Sequence, residues 1–230
     1  TIQWKEKTYT VTKIGDGAFK KNERLKTVSF DQDSEVIEIG SNAFSQSAIE
    51  KVNLPQSVSK IDPSFAINTV QTFQIIVDKN NPHYQSFNKM LIEKGGYCND
   101  TVIFASRDVA EVEIPPNVRK IGKDAFEHCS NLKSVQFLAE ENLKPCIDEI
   151  CDDAFRDCLG LSEFSIPFTV KRIGNYAFNN CQNLRHIVFE MDNNVPCQLE
   201  EIGDSTFAGC SNLVSIEIPS NVKTIGDSAF

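Results

Sequence analysis

The sequence predicts an α+β repeat fold, a solenoid of short strands and short helical turns that is strongly β. Three observations carry that prediction: a short motif that occurs eight times, an apolar spacing that alternates by two and then by three within each copy, and an excess of phenylalanine. The 230 residues hold 16 Phe against 4 Tyr and 1 Trp, and self-similarity outranks local propensity as a fold signal.

The motif in its full form is Ile14-Gly15-Asp16-Gly17-Ala18-Phe19, and it returns at Ile39–Phe44, Ile121–Phe126, Ile173–Phe178 and Ile225–Phe230. Variants begin at Ile150, with Cys151 in the Gly position, at Ile202, with Thr206 in the Ala position, and at Ile61, one residue shorter. Eight of the 16 Phe therefore occupy one repeat position. After the Phe, complete copies continue x-x-Cys-x-x-Leu-x-x-Ile-x-Ile-Pro-x-x-Val-x-x-Ile, as from Cys210 to Ile225.

Each part of that unit predicts an element. Leu-x-x-Ile-x-Ile alternates with a period of two and ends at Pro, where no ladder donor is needed, so it predicts a short strand. Val-x-x-Ile before Gly predicts a second short strand. Asp, Asn or Ser after the Gly, followed by Ala-Phe-x-x-Cys-x-x-Leu at three-residue spacing, predicts one or two helical turns with an N-cap-like start. No single coil can bury its own apolar side. Coils stacked about 4.8 Å apart would align Ile on Ile and Phe on Phe in one continuous ladder.

The anchor isoleucines at 14, 39, 61, 121, 150, 173, 202 and 225 are spaced 25, 22, 60, 29, 23, 29 and 23 residues apart. Long and short coils alternate because six residues are added where the short units carry Pro, a turn position that can bulge outward without moving the strands. The 60-residue gap contains a variant coil at about 70–110. Val70-Gln71-Thr72-Phe73-Gln74-Ile75 matches the strand slot, while Leu91-Ile92, a turn at Lys94-Gly95-Gly96, and Thr101–Phe104 read as two short strands joined by a loop. Register resumes at Val109–Pro115, so residues 1–230 read as a single solenoid with one variant coil.

These residues carry a family resemblance. The Ile-Gly-x-x-Ala-Phe-x-x-Cys-x-x-Leu-x-x-Ile-x-Ile-Pro unit resembles the BspA-like class of leucine-rich repeats, and Asn81-Pro82-x-Tyr84 followed by Met90-Leu91-Ile92 is similar to that family's longer variant unit. The resemblance covers nearly the whole chain and implies a leucine-rich-repeat solenoid. It also implies an extracellular or cell-surface location and adhesion to host proteins or cells, as proposed for some members of bacteria and parasitic protists. It brings no catalytic motif. Phe230 falls inside a unit, which reads as a piece of a longer array.

Composition excludes some partners. The formal net charge is −9, so nucleic-acid backbones and anionic membranes are repelled over most of the surface. No run of about 18 apolar residues occurs that could span a bilayer. The start at Thr1 has no apolar signal region, but a chain beginning without Met reads as a processed or excised piece and is silent about export.

Chemically suggestive residues have bland readings beside them. Cys129, Cys158, Cys181 and Cys210 share one repeat slot with Asn22 and Ser47, so they read as buried thiols packing as small hydrophobes rather than as metal ligands. Cys98, Cys146, Cys151 and Cys197 lie off that ladder. Cys146 and Cys197 are two coils apart and beyond disulfide reach; a Cys146–Cys151 bridge stays open on proximity, and Cys98 on the variant loop reads as the most reactive thiol. The acidic pairs Asp152-Asp153, Glu140-Glu141 and Glu200-Glu201 belong to no calcium-loop pattern and read as solvated turns. Asn99-Asp100-Thr101 is an N-glycosylation sequon in the variant loop. His83, His128 and His186 lie far apart, so the sequence points to no catalytic residue, no cofactor and no metal.

Function therefore has to be sought on the surface. The polar positions flanking the central apolar residue of each strand form two rows: Thr27, Lys51, Thr72, Glu111, Ser134, Glu163, His186, Ser215, and Ser29, Asn53, Gln74, Glu113, Gln136, Ser165, Val188, Glu217. Such a broad, shallow face suits a protein partner, with a glycan as the second option. The expectation is a non-enzymatic recognition module binding a host or cell-surface protein, with neither nucleic acid nor membrane insertion. The alternative is a structural spacer without a specific partner.

Overall fold

The computed structural model describes residues 2–4, 7–31, 33–70, 72–96, 98–140, 144–192 and 196–230. The chain resolves into two compact units, Thr1–Leu91 and Ile92–Phe230, and the division falls inside the variant segment.

The first unit starts with an antiparallel pair, β1 (Ile2–Trp4) and β2 (Lys7–Tyr9), with Ile2 opposite Tyr9. Coiling begins at β3 (Lys13–Ile14), followed by β4 (Thr27–Val28), β5 (Glu38–Ile39), β6 (Lys51–Leu54), β7 (Lys60–Ile61), β8 (Gln74–Val77) and β9 (Tyr84–Phe87). The anchors Ile14, Ile39 and Ile61 stand side by side in the parallel ladder β3–β5–β7, and β4–β6–β8 form the other side of the coils. Buried Phe44 is packed by Phe19, Phe65 and Phe73, with ring centroids 5.5, 6.5 and 6.0 Å away. Asn81 and Tyr84 of the variant motif close this unit. The Asn81 side chain, buried, donates to the carbonyls of Pro55 and Val58 at 2.9 Å and accepts from the amides of His83 and Tyr84. The Tyr84 hydroxyl accepts from the Ile61 amide at 3.1 Å.

In the second unit, the later residues of β10 (Met90–Glu93) lead to β11 (Asp100–Ala105), so the two strands and joining loop expected in the variant coil are present. The coils then supply β12 (Glu111–Ile114), β13 (Val118–Ile121), β14 (Ser134–Phe137), β15 (Glu149–Ile150), β16 (Glu163–Ile166), β17 (Arg172–Ile173), β18 (His186–Phe189), β19 (Glu201–Ile202) and β20 (Thr224–Ile225). One parallel ladder, β11–β13–β15–β17–β19–β20, aligns Ile121, Ile150, Ile173, Ile202 and Ile225. The opposite side is made of two separate ribbons, β12–β14 and β16–β18. Phe126, Phe155, Phe178 and Phe207 are buried and stack nearly parallel at 4.9, 5.2 and 5.5 Å, so the expected aromatic ladder is the core. Arrays of this kind stabilise each coil mainly through its immediate neighbours.

Among the described residues the short helical turns are not seen, and the expected α+β character gives way to a strongly β solenoid without helix. In the Phe126 coil, Ala125, Glu127 and Cys129 donate back three residues, to Gly122, Asp124 and Phe126. The amides between them, of Asp124, Phe126 and His128, donate outward to Asp152, Ala154 and Arg156 of the next coil at 3.3, 2.8 and 2.9 Å. Alternation is imposed by positive φ at Asp124 (58°) and His128 (61°), which breaks the right-handed run a helix requires. A three-residue apolar spacing fits both patterns. Stacking selects the one in which every second amide pairs with a neighbouring coil rather than with its own.

The Asp, Asn or Ser after the Gly is likewise turned toward the next coil rather than capping its own segment. Asp16, Asp152, Asn175 and Asp204 accept, through Oδ1, the amides of Ser41, Asn175, Asp204 and Asp227 at 3.1, 2.9, 2.8 and 2.8 Å.

Candidate interaction face

The strand rows exist in register within each unit, with corrections to their membership. In the second unit Glu111 stands beside Ser134 and Glu113 beside Gln136 on one ribbon. On the other, Glu163 stands beside His186 and Ser165 beside Val188. The intervening Val112, Phe164 and Ile187 point into the core, so alternation along the strand is what turns the named side chains outward. All eight are exposed except Ser165, which is half-buried, and Val188 is 53% exposed. Ser215 and Glu217 are exposed but lie in extended chain outside any strand.

In the first unit the register differs from the sequence reading by two residues. Lys51 pairs with Gln74 and Asn53 with Ile76, so Gln74 belongs to the first row and Ile76, 43% exposed, to the second. Thr72 is not on the strand. It precedes Phe73, whose fully buried ring enters the core against Phe44 and displaces the expected pattern.

The side-chain chemistry of the ribbons is acidic and hydrogen-bonding: three carboxylates, one imidazole, two hydroxyls, one amide and one exposed valine. No pair of them is arranged as nucleophile and base. Among the described residues there is no grouping of three or more His, Cys, Asp or Glu that could hold a metal ion. Of the acidic pairs, Asp152 and Glu201 both meet Arg172, at 3.4 and 3.3 Å, Asp153 meets Arg156, and Glu200 meets Lys223. Glu141 lies outside the described residues.

The ladder thiols are placed as the sequence implied. Cys129, Cys158, Cys181 and Cys210 are free and buried, and the last three each donate to the carbonyl of the preceding coil's Phe, at 3.2, 3.1 and 3.1 Å. Burial pushes the Cys129 and Cys158 thiols up, and the Cys210 contact followed by burial does the same to Cys181. Cys98, however, is not a free thiol. It is bridged to Cys146 with Cα atoms 5.8 Å apart, while Cys151 is free. The loop carrying Cys98 overhangs an intervening coil, so counting coils alone underestimates its reach.

On the opposite sheet is a pattern that motif reading missed. The residues immediately before the anchors alternate in sign. In the first unit Lys13 and Lys60 both contact Glu38 at 3.1 Å. In the second, Lys120 contacts Glu149 at 2.6 Å, Arg172 contacts Glu149 at 3.0 Å, and Arg172 contacts Glu201 at 3.3 Å. One position earlier the order is Arg119, Asp148, Lys171, Glu200, Lys223, with contacts at Arg119–Asp148 and Glu200–Lys223. Aligning the coils and reading down the columns would have found both rows.

A family model described as "BspA type Leucine rich repeat region" matches residues 2–103 and 99–230 in six copies. Among solved structures, the chain is similar to a leucine-rich repeat protein from Eubacterium ventriosum (20% identity, TM-score 0.53), covering 94% of this chain and 66% of that one. It is similar to the pneumococcal vaccine antigen PcpA (19% identity, TM-score 0.66), covering 92% and 59%. A leucine-rich cell surface protein from Faecalibacterium prausnitzii shares 20% identity at a TM-score of 0.53, with 91% and 70% covered. The chain thus spans about six-tenths to seven-tenths of the length of these proteins, and at such identities the likeness concerns the fold. No curated protein sequence matches the chain.

Proposed function

The chain belongs to the BspA-type leucine-rich repeat family, and on that premise we propose that it is a non-enzymatic recognition module of a secreted or cell-surface protein, binding a protein partner through its strand rows. The observation that carries this reading is the pair of ribbons presenting Glu111, Glu113, Ser134 and Gln136, and Glu163, His186, Ser165 and Val188, in register on rigid strands. Polar side chains carried in register over several coils give a broad contact, which suits a folded partner better than a small molecule. The surface location is supported by one structural relative, the leucine-rich cell surface protein of Faecalibacterium prausnitzii.

A direct test is a binding screen against purified matrix and cell-surface proteins and glycans, repeated with a Glu111→Lys, Glu163→Lys, His186→Ala variant. Specific binding that the variant loses supports recognition by this face. Binding that survives moves the site elsewhere, and silence across the panel favours a spacer array.

A further inference from the structure

We propose that the Cys98–Cys146 bridge is the protein's one thiol-exchange site, a reducible latch over the turn that follows β12. It stands independently of the recognition reading.

The two cysteines belong to coils on either side of the coil containing β13, since β11, β13 and β15 are consecutive in the ladder. Between them lies the turn Pro115-Pro116-Asn117. Asp100 grips it from one side: its amide donates to the Asn117 carbonyl at 3.3 Å and its Oδ2 accepts from Asn117 Nδ2 at 2.7 Å. Cys146 grips it from the other, its amide donating to the Pro116 carbonyl at 3.0 Å. The disulfide joins the two grips and closes a 48-residue loop. A register shift between Asp100 and Thr101 lets the chain carrying Cys98 swing out far enough to do so.

The other thiols are withheld from exchange. Cys151 is half-buried with burial pushing its thiol up to about 12, and Cys129, Cys158, Cys181, Cys197 and Cys210 are buried, so that even Cys210, whose thiol the Cys181 contact lowers, is withheld by lack of access. Exchange requires a thiolate and access. The bridge is the one disulfide among the eight cysteines, and both of its members are half-buried rather than buried, so it alone offers a sulfur that an incoming thiolate can attack. A dithiol reductant supplies both electrons: its thiolate attacks one sulfur, the Cys98–Cys146 bond breaks, and a mixed disulfide forms. The second reductant thiol then displaces the protein sulfur, leaving the reductant as a disulfide and two protonated cysteines on the protein. Opening the latch frees the turn next to Ile114, where the Glu111–Ile114 strand ends, so redox state is coupled to order at the rim of that ribbon.

The test uses the full chain purified without reductant. Alkylation in native buffer, mapped by peptide mass spectrometry, is expected to leave Cys98 and Cys146 unlabelled, and brief dithiothreitol treatment is expected to add label at those two positions alone. Hydrogen exchange at Cys98–Asp100 and Lys144–Asp148 should then rise about tenfold, with the amides of Phe126, Phe155 and Phe178 unchanged. A Cys98→Ser, Cys146→Ser variant should exchange like the reduced protein. Labelling of either cysteine before reduction overturns the proposal, as does labelling of the buried thiols together with the pair. Exchange that is the same in oxidised, reduced and variant protein also overturns it.

Discussion

Asp152 and Gly174 lie so close across adjacent coils that a Cβ built on Gly174 would meet the Asp152 amide nitrogen at 2.5 Å, as well as its carboxylate. The carboxylate occupies that space because it accepts the Asn175 amide. Wherever a coil carries Gly after its anchor and stacks on another coil that bears the motif, full or variant, the coil before it supplies Asp or Asn: Asp16 for Gly40, Asp152 for Gly174, Asn175 for Gly203, Asp204 for Gly226. Where that glycine is replaced, by Asp62 or Cys151, the preceding residue is Ser41 or Lys123 instead. Gly174→Ala should therefore destabilise the second unit by about 2 kcal/mol through overpacking. Gly15→Ala, with nothing within 4 Å of the added atom, should cost under about 0.5 kcal/mol. Urea titration of both variants would decide; equal costs would disprove the steric account.

Phe178→Ala should cost about 3 to 5 kcal/mol, since it removes a fully buried ring stacked on Phe155 and Phe207 and touched edgewise by Phe164 at 4.8 Å. Chemical denaturation should show an unfolding midpoint lowered accordingly. A loss under about 1 kcal/mol would mean the aromatic ladder is not the core.

Arg107 is buried and adds side-chain donors to backbone carbonyls of two adjacent coils. Its Nη1 donates to the carbonyls of Ala105 and Ala125 at 3.2 and 3.0 Å, and its guanidinium lies 5.0 Å from the Phe104 ring centroid. The Ala125 carbonyl also accepts the Ala105 amide at 2.8 Å, so the guanidinium adds a second donor where this coil meets the variant segment. Arg107→Met should cost about 3 kcal/mol by removing these charge-assisted bonds. Arg107→Lys should recover less than half, because an ammonium lacks the planar fork. Thermal melts of the three proteins provide the comparison.

Asp124 has its carboxyl raised to about 6, first by burial and then by the Glu127 and Asp153 carboxylates. The folded form holds the proton more tightly than the unfolded one, so the penalty for ionising Asp124 is absent below about pH 4 and grows until about pH 6. Asp124→Asn should thus stabilise the protein by about 1 kcal/mol at pH 7.5 after allowance for screening. The pH-dependent part of that gain should vanish toward pH 4; a gain that is constant with pH would indicate only that Asn suits the positive φ better.

What could be read from the sequence was what repeats at a fixed offset. Ile150, Phe155 and Leu161 announce their positions because identical apolar residues recur in the regular coils on either side and can be buried only by stacking on one another. Short-range spacing decided less. Ala154, Phe155 and Cys158 fit a helical turn equally well, and the positive φ at Asp153 (56°) that excludes a helix falls on a residue type that gives no glycine-like warning. The face was legible where alternation was strict, as in Glu111-Val112-Glu113-Ile114. It failed at Thr72 because Phe73 and Ile75 offer two competing apolar frames. The Cys98–Cys146 bridge depends on how far one loop overhangs a neighbouring coil, which no local pattern encodes.

The alternating charges before the anchors constrain how such a chain can change length in evolution. Loss of the single coil beginning at Ile150 would bring Lys120 against Arg172 and Arg119 against Lys171, exchanging attraction for repulsion in both columns. Loss of two consecutive coils would set Lys120 against Glu201 and Arg119 against Glu200, and would keep long and short coils alternating as well. In this part of the chain the heritable building block is therefore a 52-residue pair, and duplications or deletions in whole pairs are the ones that leave the charge order intact.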